Sequence, residues 1–370
     1  SMCDATVVSS GLISPNVTIG GGTVVVQEIR SGKTPGAGLA VTALLTLRGG
    51  GTKFFSTLPC MAVGGLVSWG SSQVSNAMTA AVSGSPNPVH SATGAKILDG
   101  EDDLDFALPG LLPIEWQRYY CSRDERRDGL FGASWSVAYE ARIDIGVHPE
   151  GGEQLLYTDE QARQIDMGVI PLGGAVFSAG EGLSVRRHTD GRLLIESVDG
   201  RYRLFEPAPG TSSRLRLNQL GDRNHNRVWL DYDTQGRLSR LRDTLDDVQI
   251  ELGYSQQWPA RVAQIERLFP DHSRETVASY TYDGQGNLAD VRDAVGHVQR
   301  RFAYDSGQRM TEHQRPTGLR CFYQWACVDD REWRVVRHWT DEGDDYQFEY
   351  DLHAGITRIT DGLQLSLIHI

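Results

Sequence analysis

The sequence predicts a mainly β protein assembled from antiparallel hairpins, and three observations carry that prediction. Apolar and aromatic residues recur in steps of two, as in Val228, Leu230, Tyr232 and in Ala278, Tyr280, Tyr282. Each stripe ends at a tyrosine followed by a turn-forming stretch, "YDTQGRL" at Tyr232 and "YDGQGNL" at Tyr282. The pattern also repeats: positions 232 and 254, and positions 282 and 304, are tyrosines 22 residues apart.

Taken in order, the first strand of each unit is the stripe itself, seen again in Ile250, Leu252, Tyr254, in Val298, Phe302, Tyr304 and in Tyr346, Phe348, Tyr350. In the turn that follows, the aspartate accepts hydrogen bonds from backbone amides and glycine supplies the positive φ that closes a hairpin. "YDSGQRM" at Tyr304 reads as a shortened form of this turn and "YDLHAGI" at Tyr350 as a lengthened one. A short second strand comes next, "RLSRLRD" or "NLADVRD", and then a second turn, "DAVG" at Asp293 to Gly296 or "RPTG" at Arg315 to Gly318. Turn and repeat roles therefore fall to Tyr232, Asp233, Gly236, Tyr282, Asp283, Gly286, Asp293, Gly296, Tyr304 and Asp305. One hairpin cannot bury its aromatic face alone, so neighbours must stack edge to edge into one long sheet. Leu238 with Leu241, and Leu288 with Val291, are three apart, which a flat strand would place on opposite faces. A bulge or a strong twist would reconcile them.

Composition narrows the function. A chain of 370 residues, 39% hydrophobic with 41 glycines, suits one large repetitive body or roughly two to three compact units and is not disordered. Its formal charge of −12 argues against a general nucleic-acid binder, which needs a basic face. Cys3, Cys60, Cys121, Cys321 and Cys327 are an odd set without a CxxC pair, so no disulfide framework or zinc ribbon is signalled and a reducing compartment of synthesis is expected. Residues 1–30 show no basic start followed by an apolar run, hence no signal peptide of the general secretory type.

Charge is unevenly placed. No Asp or Glu occurs from Ile29 to Leu98, and no Lys, Arg, Asp or Glu from Phe54 to Ala95. A boundary is expected near Gly84 to Gly100, where "SGSPNPVHSATG" supplies proline, glycine and serine. Residues 54–82 are apolar enough to raise a membrane span, but Pro59, Gly64, Gly65 and many Ser and Asn interrupt them. A small-residue helix packed within protein is the expectation for that stretch, with a membrane-active or chaperone-held segment as the functional alternative.

Motifs with chemical potential were weighed against plainer readings. "SGKT" at Ser31 to Thr34 resembles a phosphate-binding loop, but Gln27 stands where that motif needs its first glycine. Asp222, Asn224, Asn226 and Asp233 approach calcium-loop spacing, yet Arg227 occupies the required glycine position, and a turn accounts for them better. Glu101, Asp102, Asp103 and Asp105, and likewise "DEGDD" at Asp341 to Asp345, could bind a cation or act as acid and base; as clustered carboxylates they are expected to be solvated. Trp116, Tyr119, Tyr120, Trp135, Trp325, Trp333 and Trp339 could form carbohydrate platforms, although packing across strands is the commoner use of such residues. No GxSxG, HExxH or His-x-x-x-His is present, so no catalytic residue is assigned.

With "YDTQGRLSRLRD" and "YDGQGNLADVRDAVG", the stretch from about Leu220 to Gly362 resembles the tyrosine-aspartate repeats of the Rhs family. "NPVHSATGAKILDGEDDLDFALPGLLPIEWQRYYCSRDERRDGLFGASWSVAYEARI" is similar to the segment that opens the Rhs core, and "CDATVVSSGLISPNVTIGGGT" to the closing part of a PAAR domain. The resemblance implies residues 1–30 as a PAAR-like remnant with a β-hairpin and 31–86 as an uncharged, partly helical linker or plug. It further implies 87–145 as the core-opening segment and 146–370 as part of a β-cocoon shell. Both ends then look truncated, and the final residues 366–370 need not be native sequence.

What the resemblance implies functionally is a non-enzymatic delivery and encapsulation segment, made in the bacterial cytoplasm and exported by type VI secretion to a target cell. Its expected partners are a spike protein of the VgrG type, an Eag-type chaperone, its own C-terminal toxin and the matching immunity protein, with no nucleic acid and membrane contact by 54–82 left open. PAAR domains hold zinc with histidines and one cysteine; Cys3 matches the cysteine, while the histidines would lie upstream, so no cofactor is expected in this fragment. The rival readings are a surface adhesion or carbohydrate-binding module and a metal-dependent hydrolase using Asp102 or Asp103. A partial shell should expose sheet edges, so poor solubility is expected.

Overall fold

The computed structural model describes residues 16–19, 22–25, 43–46, 52–55, 89–90, 93–178, 182–245, 248–330, 332–361 and 365–369. Among them the backbone is strand and turn, with single 3₁₀ turns at Glu101–Asp103 and Ala138–Glu140. The chain divides into two compact units, one of Ser1–Gly94, Trp325–His338 and Asp344–Ile370, the other of Ala95–Gln324 and Trp339–Gly343.

In the first unit, β1 (Asn16–Ile19), β2 (Gly22–Val25), β3 (Ala43–Thr46) and β4 (Thr52–Phe55) follow one another in an antiparallel sheet. β1 and β2 form the hairpin read from "SPNVTIGGGT", with Asn16 opposite Val25 and Ile19 opposite Gly22. Residues 31–86 are expected to be partly helical; those of them that are described, 43–46 and 52–55, are strands. β-branched and aromatic residues on either side of three consecutive glycines favour a hairpin over a helix. The rest of 31–86, including most of 54–82, and Cys3 lie outside the described residues. No helix among the described residues is long and apolar enough to cross a membrane. β5 (Val89–His90) completes this part of the chain.

The second unit opens with β6 (Ala95–Leu98), β7 (Leu104–Leu108), β8 (Ile114–Cys121) and β9 (Trp135–Val137). β8 is central, pairing with β6, β7 and β9. Its alternation turns Ile114, Trp116, Arg118 and Tyr120 inward, all of them buried.

A serial meander follows. β10 (Arg142–Val147), β11 (Glu153–Thr158), β12 (Gln164–Val169), β13 (Ala175–Ser178), β14 (Leu183–Arg187), β15 (Leu193–Ser197), β16 (Tyr202–Pro207) and β17 (Arg214–Gly221) are neighbours in chain order. β10 also pairs with β17, so Arg142 lies opposite Thr158 on one side and Arg216 on the other. The run continues through β18 (Arg227–Tyr232), β19 (Leu238–Asp243), β20 (Gln249–Tyr254), β21 (Val262–Leu268) and β22 (Arg274–Tyr282). β23 (Leu288–Arg292), β24 (Val298–Tyr304), β25 (Met310–Gln314) and β26 (Arg320–Val328) extend it. Tyr232, Tyr254, Tyr282 and Tyr304 thus end every second strand, β18, β20, β22 and β24, of one sheet. Downstream, β27 (Glu332–Thr340) is followed by β28 (Asp345–Asp351), β29 (Ile356–Asp361) and β30 (Leu365–His369), the last three an antiparallel set.

The pairs three apart are reconciled by a bulge that recurs at the same place. Tyr232 pairs with Leu238 while Asp231 pairs with Arg240, leaving Ser239 as the extra residue. Ala263, Ala289 and Thr311 are the extra residues opposite Tyr254, Tyr282 and Tyr304. One added residue flips the pleat, so Leu238 and Leu241, Val262 and Ile265, and Leu288 and Val291 are all buried. The opposite face is polar and carries cross-strand ion pairs such as Arg242 with Asp231 at 2.6 Å and Arg274 with Glu251 at 2.6 Å.

Candidate functional site

Each tyrosine-aspartate turn is built the same way. Asp233 Oδ1 accepts from the amides of Gln235 and Arg237, both at 2.9 Å, and Gly236 holds a φ of 79°. Asp283 does the same with Gln285 and Asn287, around Gly286. At the second turn, Asp293 receives the amides of Val295 and His297, around Gly296. Asp305 receives Gly307 and Arg309 at the same spacing, so "YDSGQRM" is not shortened as the sequence suggested. Its glycine merely sits one position early, and Gln308 takes the left-handed slot at φ 61°. Partial burial pushes the Asp233 carboxyl up, but the amide and guanidinium of Arg237 outweigh it and hold the group below the ordinary aspartate range.

The tyrosine hydroxyls tie rung to rung. Tyr232, Tyr254 and Tyr282 donate to the carbonyls of Leu217, Leu238 and Val262 on the preceding strand, at 2.5, 2.6 and 2.6 Å. Tyr304 breaks the series: its hydroxyl accepts from Trp135 Nε1 at 2.9 Å. There the opening segment reaches the repeat face.

Around that contact lies a buried junction that overturns the expectation of solvated carboxylates for Asp103 and Asp105, while Glu101 is exposed as expected and Asp102 is half-buried. Asp103 is 1% exposed, and Arg118 and Arg300 are 0% and 1% exposed. Arg118 holds Asp105 through Nε and Nη2 at 2.8 and 2.9 Å and reaches Asp103 at 3.2 Å. Arg300, on β24, holds the same Asp103 at 3.0 and 3.1 Å, and Tyr280 on β22 donates to Asp105 at 2.7 Å. At the edge Arg315 meets Asp102 at 2.5 Å. The acidic run folds inward because "DGEDDLDF" is followed by β8, whose inward stripe carries an arginine. A buried cation must meet buried anions.

Burial pushes the Asp105 carboxyl above its ordinary range, with Arg118 and Tyr280 opposing. The Arg118 guanidinium feels the same burial, but Asp105 and Asp103 outweigh it and keep it charged. Aromatic rings wall off the cluster: Arg118 lies 4.8 Å from the Trp135 ring centre, and Trp135 packs edge-on to Phe302 at 4.8 Å. Trp116 and Trp135 are 0% and 1% exposed, so these aromatics are packing residues and not glycan platforms. Trp333, in the first unit, is 50% exposed.

The opening segment also binds the repeat strands through backbone. Val262 N–H donates to the Leu130 carbonyl at 2.9 Å, and Arg261 donates to the carbonyls of Gly129 and Arg127 at 3.1 and 2.7 Å. Among the described residues no cluster of His, Cys, Asp and Glu is arranged to hold a metal. Asp222 caps its own turn through the amides of Asn224 and Asn226, which accounts for the calcium-like spacing. A half-open cleft of about 360 Å³ lies beside Tyr119, Tyr139 and Ile195. Its buried-side cation, Arg203, is already engaged by Tyr157 and Glu160 at 3.0 Å each. The arrangement clamps the opening segment to the repeat strands through buried ion pairs and backbone hydrogen bonds.

Sequence reading missed Arg118, Arg300 and His313. A signal was present: the inward stripe Val298, Phe302, Tyr304 skips Arg300 at the step between them.

Comparison with known families gives two matches, "Domain of unknown function (DUF6531)" over residues 86–167 and "RHS Repeat" over residues 282–320. The chain is similar to Double-stranded DNA deaminase toxin A of Burkholderia cenocepacia strain H111, 32% identical over 311 residues, 82% of this chain and 21% of that protein. It is also similar to Toxin protein Tse5 of Pseudomonas aeruginosa, 26% identical over 75% of this chain and 23% of that protein. Probable deoxyribonuclease RhsB of Dickeya dadantii is 26% identical over 61% of this chain and 15% of its own length. The chain therefore spans about a fifth of these relatives. Among solved structures, the TcdB2-TccC3-Cdc42 crystal structure overlaps at a TM-score of 0.28 and 10% identity, over 56% of this chain and 13% of that one. The protein thus carries an RHS repeat behind a DUF6531 segment, in an antiparallel hairpin array, and the curated relatives it matches are toxins and probable deoxyribonucleases.

Proposed function

We propose that this chain is the wall and the sealing end of an enclosing shell in a polymorphic Rhs toxin, with the bond-breaking chemistry in a C-terminal domain beyond it. The observation that supports this reading is the division of labour in the second unit: serial hairpins offer one apolar face, and the opening segment covers that face with Trp135, Phe131 and the Arg118 cluster. The relatives' names fit, since the chain aligns with a fifth of proteins named for toxin activities and not with the whole of them.

The export route is part of the same proposal. Residues 1–30 would serve as the end of a PAAR cone on a VgrG-type spike, with Cys3 as a zinc ligand completed by histidines upstream. Residues 54–82 would be held by an Eag-type chaperone before export by type VI secretion. Limited proteolysis of the longer natural protein tests enclosure: the C-terminal domain should resist cleavage while the shell is intact and become sensitive when Arg118→Met opens the junction. A C-terminal domain cut equally fast in both would refute it. Capture of the longer protein by a purified spike trimer tests the route.

A further inference from the structure

The basic residues of this chain follow a rule with one telling exception. There are three lysines, Lys33, Lys53 and Lys96, and all 33 other basic residues are arginine. Lys96, on β6, is wholly buried. Arginine keeps its charge wherever it is placed, whereas a buried amine can shed its proton. The buried arginines of the junction each reach a buried carboxylate; Lys96 Nζ has no hydrogen-bond partner among the described residues and lies 4.5 Å from the centre of the Tyr323 ring. Charges inside the junction are already matched, Arg118 and Arg300 against Asp103 and Asp105. A proton on Lys96 therefore adds a cation that no carboxylate meets by a hydrogen bond, Asp99 and Asp103 acting on it only through space.

Groups from every neighbouring element face the amine: Asp99 beyond β6, Asp103 in the 3₁₀ turn, Arg300 on β24, and Cys321 and Tyr323 on β26. Tyr323 is itself fixed by His313 on β25, Nε2 to hydroxyl 2.9 Å. Burial brings the amine down to about 7; Cys321 opposes this, Arg300 adds to it, and Asp103 and Asp99 oppose it.

We propose that Lys96 is a proton-sensitive latch: as a neutral amine it packs on Tyr323 and closes the junction, and proton uptake favours an opened state in which β6 parts from β26. An exposed lysine holds its proton up to about pH 10.4, while the buried one holds it only below about 7. Between those values the open form carries the extra proton. The ratio of open to closed therefore rises about tenfold for each unit of falling pH and levels off below about 7. Cys321, whose thiol burial pushes up to about 11, acts in the opposite direction at higher pH, so the test is read as a difference near neutrality.

Urea unfolding of the 370-residue chain and of Lys96→Met at about pH 7 and about pH 8.5 provides that difference. The wild-type folding constant should rise roughly tenfold to thirtyfold more than that of the variant across the interval, and Lys96→Met should be the more stable at about pH 7. Parallel profiles, or a variant that is weaker at neutrality or does not fold, overturn the latch. Carbon-13 lysine NMR checks it independently, because only three lysines contribute. The signal absent from Lys96→Met should titrate near neutrality; that signal keeping its proton beyond pH ~9 overturns it.

Discussion

Three of the bulged hairpins and the fourth share a backbone but not a core. Leu238 with Leu241, Val262 with Ile265, and Leu288 with Val291 fill the two inward positions around the bulge; in the fourth hairpin they are Met310 and His313. His313 is 0% exposed and lies between the Arg300 guanidinium at 3.4 Å and the Tyr323 hydroxyl. The comparison teaches that turn, bulge and tyrosine set the frame, while the inward residue answers to what is laid over it. Over the third hairpin that is Phe131, 4.6 Å from Tyr280; over the fourth it is the ion cluster.

The largest effect should come from breaking the polar side of this contrast. Arg118→Met leaves Asp103 and Asp105 short of their shared cation and should cost about 3–5 kcal/mol in urea unfolding; a loss under about 1 kcal/mol would mean the junction does not hold the unit together. On the apolar side, Leu288→Ala should cost about 2–5 kcal/mol through the cavity it opens. His313→Leu, which imposes the apolar frame on the fourth hairpin, should cost about 1–3 kcal/mol by removing the buried hydrogen bond between His313 Nε2 and the Tyr323 hydroxyl. Stabilisation by His313→Leu would show that the histidine is not matched to the cluster.

A smaller, reciprocal pair tests the frame itself. Gln308→Gly gives up the 2.9 Å hydrogen bond from Gln308 Nε2 to the buried Asn287 Oδ1 but relieves a left-handed residue, a backbone gain in stability of about 1 kcal/mol that offsets the loss. Gly236→Gln should lower stability by a similar amount, since a side chain there meets open space and only the backbone objects. The slightest effect should be seen in acid. The carboxyls of Asp222, Asp233 and Asp293 are held below their ordinary range, so their contribution is complete above the unfolded value and is lost as pH falls through the lower folded one. Protection of the Gln235 and Arg237 amides, their exchange slowed relative to a free amide at the same pH, should accordingly fall below about pH 4, and Asp233→Asn should blunt that change.

How much of this was legible follows from the same contrast. Strands, turns and their order could be read because each depends on neighbours in sequence: a step of two, an Asp, a residue able to take positive φ. The bulge was legible only as a conflict between Leu288 and Val291. Earlier hairpins went unread where Ala162 and His225 replace glycine in the left-handed slot, although Asp159 and Asp222 cap those turns in the same way. The junction could not be read, because Asp103 and Arg300 are 197 positions apart and composition makes clustered carboxylates look wet. Arg300 within an inward stripe was its one local trace.

In the four tyrosine hairpins the extra residue falls on the strand that follows the tyrosine, whereas the bulges at Val277 and Gln299 fall on tyrosine-bearing strands. Excising the 22 residues from Asp283 through Tyr304 would splice Tyr282 directly onto Asp305, regenerating an intact corner with no change of pleat. Length in this architecture is a modular variable as far as turn and bulge are concerned, while residues laid against the opening segment, Arg300 and Phe302 among them, are not interchangeable.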